Sequence, residues 1–158
     1  RQYGTAFVID DVAYICCGDN NGTLVDDLWK FDGSDWKQLR DIANNDSDED
    51  YDDDYAITRA GTVSFVIDGR GYIATGTRSG VTSDYWVYDP EEDLWYGDSD
   101  DDYTPMTNVH NVSSGGSSRS YAVSFSTGKR GFVLSGSSGT SYFDDVYELL
   151  PYEQEDVD

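Results

Sequence analysis

Apolar and polar residues alternate in short stretches of this chain, most clearly where Val63, Phe65 and Ile67 are separated by single residues. Successive side chains of a strand point to opposite faces, so these three side chains are expected to share one face. The pair Asp68-Gly69 then favours a tight turn that tolerates positive φ, and residues 70–75 supply a second apolar stretch. The pattern predicts a β-hairpin.

Two more strands are predicted after this hairpin. Residues 76–84 are predicted to form a polar loop rich in Gly, Ser and Thr, and the aromatic run 85–88 is predicted to form a third strand. Asp89-Pro90 ends that strand, because proline has no amide hydrogen to give to a sheet. A short acidic turn leads to a fourth strand around Trp95. Four antiparallel strands of this kind make one blade of a β-propeller.

The same unit occurs three times. Five positions of the second unit have counterparts 58 residues earlier and 60 residues later. The matched sets are Arg1, Phe7, Tyr14, Gly18 and Asp26; Arg59, Phe65, Tyr72, Gly76 and Asp84; and Arg119, Phe125, Phe132, Gly136 and Asp144. Self-similarity at a fixed period is typical of repeat architectures such as propellers and solenoids.

The units resemble the kelch repeat. The shared features are a basic residue before the first strand, a glycine after the second, an aspartate before an aromatic third strand, and a tryptophan on the fourth. They are Arg59, Gly76, Asp84, Trp86-Val87-Tyr88-Asp89-Pro90 and Trp95; Arg1, Gly18, Asp27, Trp29-Lys30-Phe31-Asp32 and Trp36; and Arg119, Gly136, Asp145 and Tyr147-Glu148-Leu149, after which no tryptophan follows. The paired glycine of the family is a single one here, as Cys17-Gly18, Thr75-Gly76 and Ser135-Gly136. In this the chain is similar to kelch-like proteins of the Bacteroidetes cell envelope.

We therefore expect an all-β fold, a partial β-propeller of three kelch-type blades of four antiparallel strands, with the third blade lacking a clear fourth strand. The predicted division is blade 1 at 1–40, an acidic linker at 41–58, blade 2 at 59–97, an acidic and Ser/Gly-rich linker at 98–118, blade 3 at 119–150 and an acidic tail at 151–158. Closed propellers have about four to eight blades. Three blades cannot close a ring. We therefore expect either half of a longer propeller, whose other blades are cut away or lie on a separate chain, or two copies that associate into a six-bladed ring.

The repeat also predicts the core. We expect the side chains at two matched strand positions to be buried between blades, namely Phe7, Phe65 and Phe125 with Tyr14, Tyr72 and Phe132. The adjacent Cys16 and Cys17 would point to opposite faces of a strand, so no disulfide joins them, and small core residues are the expected role in preference to a redox or metal site.

Charge limits the classes of partner. The chain has 32 acidic and 10 basic residues and a net charge of −22, which disfavours nucleic acid and anionic membranes as partners and favours cations. No apolar run approaches the roughly 20 residues of a transmembrane helix. The resemblance to envelope proteins implies a secreted, periplasmic or cell-surface location.

Two sets of candidate site residues follow. Arg1, Arg59 and Arg119 precede the first strand of each unit, so the repeat is expected to place them in a ring at one mouth of a central channel. Arginine forks bind carboxylate or phosphate, which suggests an anionic ligand. The alternative is that each arginine pairs with an aspartate such as Asp27, Asp84 or Asp145 and only fixes blade spacing.

The second set is in the first acidic linker. Asp46, Asp48, Asp50 and Asp52 have the alternating spacing of calcium ligands, although the glycine and distal glutamate of the helix-loop-helix calcium motif are missing. A solvated acidic loop is the alternative. No cofactor other than calcium is expected.

Catalysis is not expected. His110 is the only histidine, which excludes a multi-histidine copper centre, and no Ser/His/Asp or Cys/His set occurs. The resemblance implies a non-catalytic binding module that presents blade-end loops to a protein or glycan ligand, with an anionic ligand suggested by the arginines. One alternative is an assembly protein whose partial propellers associate to close a ring. Another is a fragment of a carbohydrate-active kelch enzyme.

Overall fold

The computed structural model describes residues 1–43, 56–97, 109–111 and 118–149, and only the backbone of residues 109–111. This part of the chain is all-β. Its strands are β1 (Thr5–Ile9), β2 (Val12–Cys16), β3 (Asp19–Asn20), β4 (Thr23–Leu24), β5 (Trp29–Phe31), β6 (Trp36–Gln38), β7 (Val63–Ile67), β8 (Arg70–Ala74), β9 (Tyr85–Asp89), β10 (Leu94–Gly97), β11 (Val109–Asn111), β12 (Val123–Ser126), β13 (Gly131–Leu134) and β14 (Val146–Leu149). Among these residues no helix has the length and apolarity needed to cross a bilayer.

The strands form four antiparallel sheets, and none of them closes on itself. The first sheet has the order β1-β2-β5-β6, the second β7-β8-β9-β10, and the third β12-β13-β14-β11. The fourth is the small β3-β4 hairpin. In each four-stranded sheet the first three strands therefore follow the order that the sequence pattern predicts.

The predicted hairpin is confirmed in the second sheet. Asp68 and Gly69 have φ values of 48° and 78°, and Ile67 pairs with Arg70 across the turn. The first sheet makes the same turn with Asp10 and Asp11, at φ values of 49° and 64°. Aspartate tolerates positive φ better than most residues, which is why the turn survives there without glycine.

The prediction that the third unit lacks a fourth strand is wrong. Its fourth strand is β11, which pairs antiparallel with β14 through Val109↔Leu149 and Asn111↔Tyr147. This strand comes from the stretch 98–118 that was predicted to be a linker, and it precedes the unit's first strand instead of following its third. The outer edge of the third sheet is therefore completed from the N-terminal side.

The second sheet is covered on both faces. Phe7, Ile9 and Tyr14 of the first sheet pack with Tyr88 and Trp95 of the second. On the opposite face, a second cluster joins the second and third sheets through Val63, Phe65, Ile67, Tyr72, Val87, Val133, Tyr147 and Leu149. Each large apolar side chain buried in this way contributes roughly 1.5–3 kcal/mol to stability.

The core prediction is correct for two units and wrong for the third. Phe7, Phe65, Tyr14 and Tyr72 are buried, whereas Phe125 is 50% exposed. Phe132 is also only partly buried. Phe125 is exposed because of where its sheet lies in the fold. None of the described residues forms a sheet over the face of the third sheet that carries Phe125.

Neighbouring sheets approach closely because of two glycines. A Cβ atom added to Gly71 would lie 2.3 Å from the ring of Phe7, and one added to Gly131 would lie 2.3 Å from the ring of Phe65. The phenylalanine ring of one sheet thus lies where a side chain at the glycine position of the next sheet would lie, so only glycine fits there.

Cys16 and Cys17 are both buried and not joined by a disulfide. The hydrogen bond with Cys17 and burial both raise the pKa of Cys16, which keeps its thiol protonated. A protonated, buried thiol is a poor nucleophile and a poor metal ligand. The geometry agrees with the predicted role of these residues as small core side chains.

Candidate functional site

The guanidinium group of Arg59 is fully buried and uses all five of its N–H donors. Its Nε donates to the carbonyl of Ile57 at 2.9 Å, and its Nη2 donates to the carbonyl of Ala56 at 2.9 Å. A bidentate pair joins Nη1 and Nη2 to the Asp84 carboxylate at 2.9 and 2.7 Å. The fifth donor reaches the carbonyl of Thr75 at 3.0 Å. All the hydrogen-bond donors of this side chain therefore have acceptors within the protein.

Arg119 repeats this arrangement in the third sheet. It pairs with both oxygens of Asp145 at 2.5 and 2.9 Å and donates to the carbonyl of Ser135 at 2.8 Å. Its guanidinium group also lies over the rings of Phe143 and Tyr147, at 4.5 and 4.3 Å from their centroids. Stacking on two rings adds cation–π stabilisation to the ion pair.

Arg1 repeats it more loosely in the first sheet. Its Nη2 lies 2.5 Å from Asp27, and its Nη1 donates to the carbonyl of Cys17 at 3.2 Å. About a quarter of each of the two charged side chains is exposed, at 25% and 24%. The carboxylate is further oriented by Trp29, whose indole N–H donates to it at 2.8 Å.

The carbonyl that each arginine contacts belongs to a residue with an unusual backbone. Cys17, Thr75 and Ser135 have φ values of 61°, 61° and 60°. These residues directly precede Gly18, Gly76 and Gly136. A side chain costs roughly 1–2 kcal/mol in this left-handed region. The arginine bond to the carbonyl helps to hold that conformation.

The two most buried pairs keep their carboxylates ionised. Burial alone would raise the pKa of Asp84, but the hydrogen bonds and charge of Arg59, together with bonds from Thr82 and Trp86, outweigh it and hold the pKa below its usual value. For Asp145 the hydrogen bond from Arg119 is the main cause of a lowered pKa. Both carboxylates are therefore charged at neutral pH.

This geometry bears on the two hypotheses for the arginines. Arg1, Arg59 and Arg119 are each bonded to the aspartate that the pairing hypothesis names. Arg59 has no N–H left to offer an anion, so binding there would require the pair to break. The arrangement favours a framework role, and a ligand-binding role for the three arginines stays a prediction that mutation can decide.

The second candidate set cannot be placed. Asp46, Asp48, Asp50 and Asp52 lie outside the described residues. Within the part of the chain that the structure describes, no group of three or more His, Cys, Asp or Glu side chains is arranged to hold a metal ion. Calcium binding by the acidic linker stays a prediction.

Three loops share a base but not a sequence. Each is closed by one backbone bond to the glycine carbonyl after the second strand, from Val25 to Gly18, Thr82 to Gly76 and Phe143 to Gly136. Between these positions the residues are DNNGTL, TRSGV and SSGTSY. The tips are exposed, and Tyr142 is 87% exposed. A rigid base with variable exposed residues suits recognition.

Sequence reasoning missed two features of these regions. The first is the contact between each arginine and the carbonyl of Cys17, Thr75 or Ser135, although the missing first glycine was a signal for it. The second is the exposed Arg78 at the tip of the second loop. Because Arg59 and Arg119 are enclosed, Arg78 is a better-placed guanidinium for a ligand at these loops than either of them.

Comparison with known proteins supports the all-β fold of the chain. No protein-family model matches the chain, and no curated protein matches it. The structure is similar to the solved structure of YjhT, with a TM-score of 0.54 and 18% sequence identity. The match covers 85% of this chain but only 33% of YjhT. Fold and similarity together define an all-β protein compatible with a β-propeller-like domain.

Proposed function

We propose that this chain is part of a kelch-type β-propeller, with three blades corresponding to the three four-stranded sheets, and that it acts as a non-catalytic binding module. Its ligand is a protein or a glycan, met by the loops after Gly18, Gly76 and Gly136. Support for the blade assignment comes from the kelch-like spacing and from the Arg–Asp pair present in each sheet.

One observation carries the binding role, namely the shared base and different tips of the three loops. The closing bonds have nearly equal lengths of 3.0, 2.9 and 3.0 Å, so the framework is the same at each site. The first residue of each loop also makes two backbone bonds to the segment that precedes the first strand of its sheet. The residues beyond it differ between loops, and one tip offers the exposed Arg78 and another the exposed Tyr142. Arginine and tyrosine are the side chains that most often dominate binding energy at interfaces.

Binding to a panel of immobilised neutral and anionic oligosaccharides tests this proposal. Labelled protein is expected to bind at least one glycan, and Tyr142→Ala and Arg78→Ala are expected to weaken that binding at least about tenfold, as for interface side chains that dominate affinity. If the ligand is anionic, raised salt and Arg78→Ala weaken binding together, because a rim charge acts through screened attraction.

Val8→Thr is the matched control, since Val8 is exposed on the first sheet and belongs to none of the loops. The control should bind as the wild type does. Loop variants that keep full affinity would contradict the proposal. An enriched partner from a library of displayed peptides, sensitive to the same loop variants, would support a protein ligand in place of a glycan.

A specific observation favours the second candidate function, assembly into a larger ring. The third sheet leaves Val123 and Phe125 exposed on one face, at the positions that Val63 and Phe65 use to join the second sheet to the third. A ring of propeller blades covers such faces by adding a neighbour. Assembly does not exclude ligand binding by the loops, because the two use different surfaces.

A further inference from the structure

The chain makes the same interface twice, and each copy depends on a phenylalanine that packs against a glycine. Phe7 of the first sheet lies over Gly71 of the second, and Phe65 of the second lies over Gly131 of the third. In both cases the glycine precedes an aromatic residue on the second strand of its sheet. The close approach excludes even a methyl group at the glycine position.

A serine on the same sheet as the glycine locks each interface. Ser64 Oγ donates to the carbonyl of Ala6 in the first sheet, and Ser124 Oγ donates to the carbonyl of Ser64 in the second, both at 2.7 Å. The sheet that receives the phenylalanine therefore carries an arginine, a serine five residues later and a glycine twelve residues later: Arg59, Ser64 and Gly71, then Arg119, Ser124 and Gly131.

Backbone bonds extend the interface next to these residues. The N–H of Gly18 donates to the carbonyl of Arg59, and the N–H of Gly76 donates to the carbonyl of Arg119, both at 2.7 Å. Gly136 is the next member of this series, and its N–H makes no such bond to the described part of the chain. The third sheet thus presents one complete half of the interface: Phe125, the Ser124 carbonyl and the Gly136 N–H.

The first sheet presents the other half, but altered at two positions. Its aromatic pair Phe31 and Trp36, with ring centroids 4.9 Å apart, matches the pair Tyr88 and Trp95 that contacts Phe7. Five and twelve residues after Arg1, however, it has Ala6 and Ala13 in place of serine and glycine. A Cβ atom at either matched glycine would lie 2.3 Å from the phenylalanine ring, so by analogy the methyl group of Ala13 would obstruct a ring docked there.

We propose that the exposed face of the third sheet docks a further sheet of the same repeat type, supplied by polypeptide other than the 158 residues of this chain. That sheet carries arginine, then serine and glycine five and twelve residues later, followed by an aromatic residue. The first sheet of a second copy does not serve, because Ala6 removes the serine bond and Ala13 obstructs Phe125. This inference rests on the proposed stacking of propeller blades and names the partner that the stacking requires.

Converting the first sheet into an acceptor tests the proposal. Sedimentation equilibrium in raised sodium chloride, which screens the repulsion between two chains of charge −22, compares the wild type with the double variant Ala6→Ser/Ala13→Gly. The double variant is expected to self-associate at least about tenfold more tightly, because the substitutions relieve overpacking and add a hydrogen bond. The wild type is expected to show no association that depends on Phe125.

Adding Phe125→Glu to the double variant should abolish the gained association. Adding Tyr142→Glu should not, and this is the matched control because it replaces an exposed aromatic with the same charge outside the docking face. Two results would overturn the proposal: wild-type association that Phe125→Glu removes, or a double variant that associates no more tightly than the wild type.

Circular dichroism decides whether each variant is folded. If glycine at position 13 unfolds the first sheet, Ala6→Ser alone carries the test, with a smaller expected gain of about fivefold from the single added hydrogen bond. Glycan or peptide binding by the loops is measured separately on the same proteins. A failure of sheet docking is therefore distinguishable from a failure of ligand binding.

Discussion

The second and third sheets have matching residues but different surroundings. Val63 and Phe65 are each 5% exposed, whereas their counterparts Val123 and Phe125, 60 residues later, are 57% and 50% exposed. The two strands have the same alternation and the same register to their neighbours. The comparison shows that the residue type at a repeat position predicts its face in the sheet, while the presence of a neighbouring sheet decides its burial.

The Arg–Asp pairs of the first and second sheets also differ in how far they are exposed to solvent. Arg59 is enclosed by the contacts of the second sheet, while Arg1 in the first sheet has a side chain that is 25% exposed. The ion pair is the same in kind, but Arg1 is closer to water. Mutations at matched positions therefore measure what full burial and the additional bonds to the carbonyls of Ala56 and Ile57 add to the ion pair.

The largest expected effect separates Phe65 from Phe125. Phe65→Ala should lower the free energy of unfolding by about 3–5 kcal/mol, because it removes buried apolar surface and leaves a cavity beside Gly131. Phe125→Ala should cost about 1 kcal/mol or less, since half of its side chain already faces solvent. Urea unfolding of both variants measures the difference. Equal losses would show that Phe125 is buried in solution and would contradict the comparison.

Arg59→Ala and Arg1→Ala form the next pair. Removing Arg59 takes away the charge partner of the Asp84 carboxylate and the donor to three buried carbonyls, and we expect a loss of about 3 kcal/mol. Arg1→Ala should cost about 1 kcal/mol, because its pair is partly solvated. Thermal and urea unfolding provide the measurement. An unchanged stability for Arg59→Ala, accompanied by weaker binding of an anionic glycan, would favour the ligand-binding hypothesis instead.

Acid pH should weaken the same pairs. The pKa values of Asp84 and Asp145 are lowered in the folded protein, so their contribution is fully present above the usual carboxyl pKa of about 4 and is lost as pH falls through the lowered values. Protonation of the other carboxylates relieves repulsion and acts in the opposite direction. The difference between the wild type and Asp145→Asn isolates the pair.

We expect Asp145→Asn to be less stable than the wild type at neutral pH and to approach it as pH falls below about 4. Urea unfolding at a series of pH values tests this. Asp144→Asn is the matched control, because Asp144 is exposed. A constant difference between the wild type and Asp145→Asn across the acid range would show that the pair does not set the pKa of this carboxylate.

Much of this fold could be predicted from local sequence. Alternation identifies β7, the Asp-Gly pair identifies its turn, and Asp89-Pro90 marks the end of β9 to within one residue. Pairing of the arginines with Asp27, Asp84 and Asp145 was one of the two hypotheses that the sequence allowed. These features depend on residues within one unit, where spacing carries the information.

The pairing of β11 and the exposure of Phe125 depend on contacts between distant parts of the chain, which the spacing of residues within one unit does not predict. Strand β11 has only three residues, and its partner Leu149 lies 40 positions after Val109. So short a segment has no alternation to detect. The exposure of Phe125 is equally invisible, because its sequence surroundings match those of Phe65 and only a neighbouring sheet distinguishes them.

The smallest expected effect compares two strained residues, Thr75 in the second sheet and Ser135 in the third. Both have φ near 60°, but threonine is β-branched and suffers more in this conformation. Thr75 is also buried, and its hydroxyl has no hydrogen-bond partner among the described residues. An unsatisfied buried hydroxyl costs roughly 1–3 kcal/mol. Replacing Thr75 therefore removes two unfavourable contributions, whereas replacing Ser135 removes chiefly one.

Thr75→Gly should raise the free energy of unfolding by about 1 kcal/mol, since the relief of strain and of the buried hydroxyl exceeds the entropy that glycine adds to the unfolded chain. Ser135→Gly should change it by about 0.5 kcal/mol or less, because serine is not β-branched and is only partly buried. The bond from the Arg59 guanidinium to position 75 is retained, since its acceptor there is the backbone carbonyl. A melting temperature that falls on Thr75→Gly would show that the side chain packs favourably despite its backbone, and that the neighbouring sheet stabilises the strained residue instead of merely tolerating it.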